Sequence, residues 1–217
     1  MTALNSRDNA VDWLKWIGVA SMAIDHLRYL SASLDWCFLP GRIAYPAFAL
    51  ICGWNLVKNS KVPHLFVARV SFLGGILYLA QLSNGDTKLN PVLTLAIGLF
   101  LLNSARSQIL IPAAILIIAF GNHIAYGVAG VGLVIAGGLL SQYRTTQFVI
   151  LAGLLSAGLG NGIIGNIVAG LAGLGTAILL TKGITRPCPI QNSKWLYLAF
   201  PATLLPAAIA HAYHHIK

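Results

Sequence analysis

Long apolar stretches broken by Pro, Gly, Asn and charge recur along the whole chain and predict nine helical spans, beginning near positions 12, 40, 64, 89, 107, 124, 145, 162 and 195. A helix needs about 20 predominantly apolar residues to cross the hydrocarbon core of a bilayer. Nine spans would therefore use nearly all of the 217 residues and leave only short connections. The expected fold class is all-α, a polytopic integral membrane helical bundle forming one transmembrane domain over residues 1–217. The runs 89–102 and 108–120 are short, and each fits a re-entrant segment as well as a full crossing.

Composition agrees with the pattern: 57% of residues are hydrophobic and 9% charged, against roughly a quarter charged in an ordinary soluble domain. A soluble globular protein is excluded on that ground. The formal charge of +9 comes from 14 Lys and Arg against five acids, all of them Asp. Because the basic residues lie mostly between apolar runs, membrane topology and anionic headgroups explain them without a nucleic-acid partner. A cytoplasmic N-terminus places Arg7, Lys15, Lys58, Lys61, Arg69, Arg106, Arg144, Lys182, Arg186 and Lys194 on the cytoplasmic side, leaving Arg28, Arg42, Lys88 and Lys217 opposite. The segment MTALNSRDNAVDWLKW carries both Asp and Lys ahead of the first apolar run, and no small-residue cleavage site follows that run, so it reads as an uncleaved first helix. Cys37, Cys52 and Cys188 form no CxxC pair and no metal-ligand spacing, and are expected to pack as small residues.

The polar residues divide the chain. Residues 12–102 hold most of the candidate chemistry, whereas 103–217 read as a glycine-rich scaffold with repeats such as GVAGVG at 127–132 and GLAGLG at 170–175. Small residues at such spacing let helix backbones approach closely where lipid removes the hydrophobic drive for association. The polar residues of the first half have no counterpart in the second, which argues against an inverted-repeat transporter.

The first helix, WLKWIGVASMAIDHLRYL, places Asp25 and His26 well inside an apolar run, where ionisable residues are candidates for function. Lys15 and His26 are 11 positions apart, about 16 Å of rise and within about 20° of three full turns. They share a stripe with Asp12, Val19 and Met22 that runs from the cytoplasmic surface toward the membrane centre or just beyond it. Asp25 points about 100° away and shares its face with Ser21, Arg28 and Tyr29. Two readings follow. In one, Asp25 pairs with Arg28 at i,i+3 and His26 is a satisfied packing residue. In the other, His26 is a general base kept neutral by burial, and Asp25 favours its imidazolium or orients another group.

Arg42 lies in LPGRIAYPAFALICGW, where Pro40, Gly41 and Pro46 make an irregular start to the second span. Arg69 lies about a turn and a half into HLFVARVSFLGG. Each fits either a buried fork for phosphate or carboxylate or a side chain snorkelling to the nearer surface. His211 and His215, at i,i+4 near the C-terminus, have a spacing that can hold a metal, but no carboxylate or cysteine lies near them in sequence, so no metal is assigned.

The stretches LKWIGVASMAIDHL, LPGRIAYPAFALICGWNL, the HLFVAR run and LNPVLTLAIGLFLL, in this order over 12–102, resemble the TraX family of conjugation-associated membrane proteins. The basic residue followed eleven positions later by histidine on the first helix is more distantly similar to the transmembrane acyltransferase superfamily. The resemblance implies a membrane-embedded acyltransferase of the bacterial inner (cytoplasmic) membrane that takes acetyl-CoA as acyl donor and N-acetylates the N-terminus of a small membrane-inserted pilin. It implies His26 as the catalytic residue with Asp25 beside it. Lys15, Lys58, Lys61 and Arg69 would face the CoA phosphates, and Arg28, Tyr29 and Arg42 the substrate. The superfamily's RxxR pair is incomplete, since Phe66 precedes Arg69 by three positions and Phe72 follows it. Two alternatives remain open: head-to-tail cyclisation of pilin by aminolysis without CoA, and a non-catalytic pilus-assembly factor or proton-coupled transporter.

Overall fold

The computed structural model describes residues 9–28, 30–58, 63–83, 90–104, 123–160, 162–184 and 188. In chain order these form α1 (Asn9–Leu27), a 3-10 helix (Ala32–Cys37), α2 (Phe38–Gly41), α3 (Ala44–Lys58), α4 (Pro63–Ser83) and α5 (Pro91–Asn103), followed by α6 (Gly127–Tyr143), α7 (Thr146–Ala157) and α8 (Gly162–Lys182). The described residues are helical, with no strand element among them, as the apolar pattern predicts. The spans expected near 12, 40, 64, 89, 124, 145 and 162 fall on α1, α3, α4, α5, α6, α7 and α8; those expected near 107 and 195 lie outside the described residues. Two helical stretches, Ser33–Lys58 and Gly162–Lys182, are each long and apolar enough to cross a membrane.

The bundle has two ends, one marked by Lys58 and the other by Arg42. Helices α3, α5 and α6 run parallel between them. Tyr45 stacks on Tyr126 with ring centroids 4.0 Å apart at the Arg42 end, while Arg144 reaches the Trp54 ring at the Lys58 end. The Thr94 hydroxyl donates to the Ala125 carbonyl at 2.7 Å, tying the start of α5 to the residues just before α6. Helix α1 runs antiparallel to α3, with Gly18 against the Phe48 ring and Asp25 against Gly41. At the Lys58 end the Asn9 amide donates to the Ile184 carbonyl at 3.5 Å, bringing the start of α1 to the end of α8. The chain thus leaves α5 at the Lys58 end and enters α6 at the Arg42 end.

Close approach of helices accounts for several of the glycines. An ideal Cβ on Gly53 would collide with the Val134 carbonyl and lie 2.8 Å from the Gly138 nitrogen, and one on Gly137 would lie 2.8 Å from the Leu50 Cα. Helices α3 and α6 therefore cross in direct backbone contact, which only residues lacking a side chain allow. Ser156 of α7 nests against Gly173 of α8 in the same way. Leu50 and Trp54 of α3, Leu99 of α5, and Leu133, Val134 and Leu140 of α6 form the centre of one buried cluster spanning both sequence halves. Outside it, Phe72, Leu79, Leu154, Ile163 and Leu171 are exposed. Apolar surface on that scale is what a bilayer covers.

One boundary differs from expectation. The apolar run predicts helix through Leu30, but α1 ends at Leu27, so Asp25 and His26 occupy its last turn rather than its interior. Ser31 explains the stop: its hydroxyl accepts from the Ser33 N–H at 3.3 Å and caps the following 3-10 helix, a local hydrogen bond that competes with continued α-helix.

Candidate functional site

At the Arg42 end, the last turn of α1 meets the Pro-Gly-Arg segment that leads into α3. The Ser21 hydroxyl, one turn before Asp25, donates to the Pro40 carbonyl. Asp25 packs onto the bare Cα of Gly41, where a Cβ would sit 2.5 Å from the Asp25 Cβ and 2.6 Å from Oδ1. The same carboxylate pairs through Oδ1 with Arg28 Nε at 3.6 Å. Asp25 is thus held by its i,i+3 neighbour, the partner that helical spacing predicts. The imidazole of His26 projects about 100° from the Asp25 face. It is half-buried, with Nδ1 shielded from solvent.

Pro40 and Gly41 end the four-residue α2, and Arg42 follows in its C-cap position, half-buried. Its guanidinium lies 5.6 Å from the Phe38 ring centroid, and its Nε is buried with no hydrogen-bond partner among the described residues. Pro46 is tolerated in the first turn of α3 because the N–H it lacks has no intrahelical acceptor there. A cation with an unused donor thus stands at the same end of the bundle as Asp25 and Arg28. Tyr29 lies outside the described residues.

The stripe drawn from the sequence is physically continuous, since α1 is one unbroken helix from Asn9 to Leu27. Asp12 and Val19 on it are buried, and Lys15, Met22 and His26 are half-buried. Ile17, on the opposite side of α1, is exposed. At the Lys58 end of the stripe, Lys15 pairs with Asp12 at 3.5 Å and lies within electrostatic range of Cys52 on α3. Lys58 lies with its Nζ 5.1 Å from the Trp54 ring centroid. Lys61 lies outside the described residues.

Arg69 stands apart from these groups. It is exposed on α4, on the same outward face as Leu65, Phe72 and Ile76, while Val67 and Val70 turn toward the core. That is the placement of a snorkelling arginine rather than of a buried fork. Cys37 and Cys188 are buried and Cys52 half-buried, as small packing residues are. His211 and His215 lie outside the described residues.

Three contributors carry weaker sequence signals. Gly41 matters through the contact it permits with Asp25, and Trp54 with Lys58 is legible as an i,i+4 cation–aromatic pair. Arg144, distant in sequence, joins that pair with its Cζ 5.6 Å from the same ring. No local spacing foretells that contact.

The chain is 27% identical over 200 residues to an Escherichia coli K12 protein named "Protein TraX", covering 88% of this chain and 81% of that one. Over 183 residues it is 27% identical to a second Escherichia coli protein of the same name, covering 80% and 73% respectively. No solved structure matches it. The family described as "TraX protein" matches residues 10–209, close to the full length and well past the 12–102 stretch that carries the sequence resemblance. The chain therefore belongs to the TraX family.

Proposed function

We propose that this protein is a membrane-embedded acyltransferase that moves the acetyl group of acetyl-CoA onto the N-terminal amine of a conjugative pilin. The observation that carries the reading is the α1 stripe: a basic residue, Lys15, at one end and a half-buried imidazole, His26, at the other, on one unbroken helix. The spacing of about 16 Å separates a cytoplasmic docking point for the anionic head of the donor from the reacting centre. Lys15, Lys58 and Lys61 receive that head, and the pantetheine arm runs along the stripe.

In the reaction, the pilin amine attacks the thioester carbonyl and a C–N bond forms. His26 accepts the proton released by the amine, the C–S bond breaks, and the CoA thiolate leaves and is protonated. Asp25 acts as a positioning residue, fixing the end of α1 against Gly41 and holding Arg28. Arg28 and Arg42 lie toward the acceptor, and Tyr29 is assigned to it with them, the unused Nε of Arg42 being available to a carbonyl or carboxylate of the incoming peptide. No cysteine nucleophile is required.

The proposed setting is the bacterial inner membrane, with the nine expected spans crossing it and the N-terminus in the cytoplasm. The distribution of cations among the described helix ends supports this, since Lys58, Arg144 and Lys182 mark one end and Arg28 and Arg42 the other. On this topology His26 lies near the far surface, where signal peptidase exposes a new pilin N-terminus.

The test is transfer of labelled acetyl from acetyl-CoA to pilin by the purified full chain. Replacing His26→Ala is expected to lower turnover about 10²- to 10⁴-fold with acetyl-CoA affinity retained. Normal acetylation by that variant would remove His26 from the mechanism. Pilin lighter by one water, rather than heavier by an acetyl group, would transfer the reading to cyclisation.

A further inference from the structure

Between α1 and α2 the chain passes through the 3-10 helix Ala32–Cys37, in which residues three apart lie one above the other. Leu34 and Cys37 form its inner edge, half-buried and buried, while Ser33 and Trp36 form an exposed outer edge. Trp36 leaves 59% of its surface uncovered, whereas Trp13 and Trp16 are half-buried and Trp54 is buried. That exposure continues a stripe of α1. Ile17, Ala20 and Leu27 are exposed and fall within about 80° of one another around the helix axis. Leu30, also exposed, carries the stripe past the helix end, and Trp36 stands where it gives way to exposed Ser31, Ser33 and Asp35. The 19 residues of α1 rise about 28 Å, close to the thickness of the hydrocarbon core. Residues just beyond its end therefore fall at the level of the headgroups. An indole has an apolar body that favours acyl chains and an N–H that needs a polar partner, and that level supplies both.

We propose that Leu30 and Trp36 dock this segment onto the phospholipid surface at the Arg42 end, with the indole at the boundary between acyl chains and headgroups. The anchor is tied to the candidate site by a short packed stretch. Cys37 follows Trp36 and is buried, and four residues later Gly41 receives Asp25 from the last turn of α1. The level of Trp36 in the bilayer thus sets the level of Asp25 and His26. The consequence for catalysis rests on the acyltransferase reading; the lipid contact does not. In that reading His26 is held at headgroup level, where a charged pilin N-terminus arrives without entering hydrocarbon, a step that costs several kcal/mol for an ionised group.

The experiment uses the full chain in vesicles of phosphatidylethanolamine and phosphatidylglycerol whose acyl chains are brominated either near the carboxyl end or near the methyl end. Emission of Trp36 is taken as the difference between wild type and Trp36→Phe, a change at an exposed ring that spares the core. Bromines near the carboxyl end are expected to quench that difference at least about twofold more than bromines near the methyl end, with aqueous iodide quenching only weakly. Leu30→Trp in the Trp36→Phe chain moves the reporter and should give the same order. Strong quenching by iodide with none by either lipid would place the segment in water. Stronger quenching by the deep bromines would place it in hydrocarbon, and quenching by none of the three would mean that protein covers it. Each of these overturns the proposal. Acetyl transfer by the same vesicles is measured separately: a protein that shows the expected quenching but transfers no acetyl group keeps its lipid anchor and loses the acyltransferase reading.

Discussion

The side chain of Asp25 rests on the Cα of Gly41, so close that a Cβ there would sit 2.5 Å from its own. That contact joins the Asp-His pair ending α1 to the Gly-Arg segment leading into α3, two stretches whose proximity sequence spacing does not disclose. Adding a methyl group at this point must displace the carboxylate or the helix end that carries it. Gly41→Ala is expected to cost about 1–3 kcal/mol of stability by overpacking, read as a lower melting temperature in detergent. Because His26 is adjacent to Asp25, acetyl transfer should fall further than the loss of folded protein accounts for. Wild-type melting and activity in this variant would show that the contact is dispensable.

The glycines of the bundle should divide sharply by what faces them. Gly53 faces the Val134 carbonyl across the α3–α6 crossing, whereas Gly75 of α4 has no atom within 4 Å of an added Cβ. Gly53→Ala is expected to destabilise by at least about 2 kcal/mol, since neither backbone can yield without moving a whole helix. Gly75→Ala should gain about 0.5–1 kcal/mol by relieving the entropic cost of glycine in a helix. Paired thermal melts in one detergent check both, and equal effects would contradict the crossing.

The legible parts of the molecule were those that depend on local periodicity. The shared stripe of Lys15 and His26 follows from helical geometry alone, as does the Asp25–Arg28 pair, and α1 carries both. The end of α1 was less legible because the apolar run continues through Leu30, whereas the stop is set by Ser31 capping the turn that follows. Which small residue meets which helix could not be read. GVAGVG says that something can approach closely, but Gly130 meets Tyr126, Tyr45 and Thr94 while Gly132 meets Leu155. Arg144 was read only as a topological charge, because its contact with Trp54 depends on where α3 and α6 cross.

Asn90 offers a test of how α5 is placed. Its Oδ1 accepts from the Leu93 N–H at 2.9 Å as the helix cap, and its Nδ2 donates to the Gly74 carbonyl of α4 at 2.8 Å. With Pro91 following, the start of α5 is specified by a cap and a proline at the first position. Asn90→Ala loses both bonds and should cost about 1–2 kcal/mol. Asn90→Asp keeps the cap but sets a carboxylate against the Gly74 carbonyl, so it should rescue little of that loss. Full rescue by Asp would mean that the α4 contact contributes nothing.

Arg69 lies on the outward face of α4 among Leu65, Phe72 and Ile76. A guanidinium there reaches the interface through its aliphatic stem and does not point into the bundle. Arg69→Leu is therefore expected to leave CoA affinity within about twofold of wild type, against the larger loss expected for Lys15→Gln. Its effect should appear in the membrane instead, where losing one cation from the Lys58 end weakens the charge bias that holds α4 in place. Measuring CoA affinity for both variants under one salt condition separates the two cations. A loss for Arg69→Leu equal to that for Lys15→Gln would return Arg69 to the donor site and require α4 to turn that face toward the ligand.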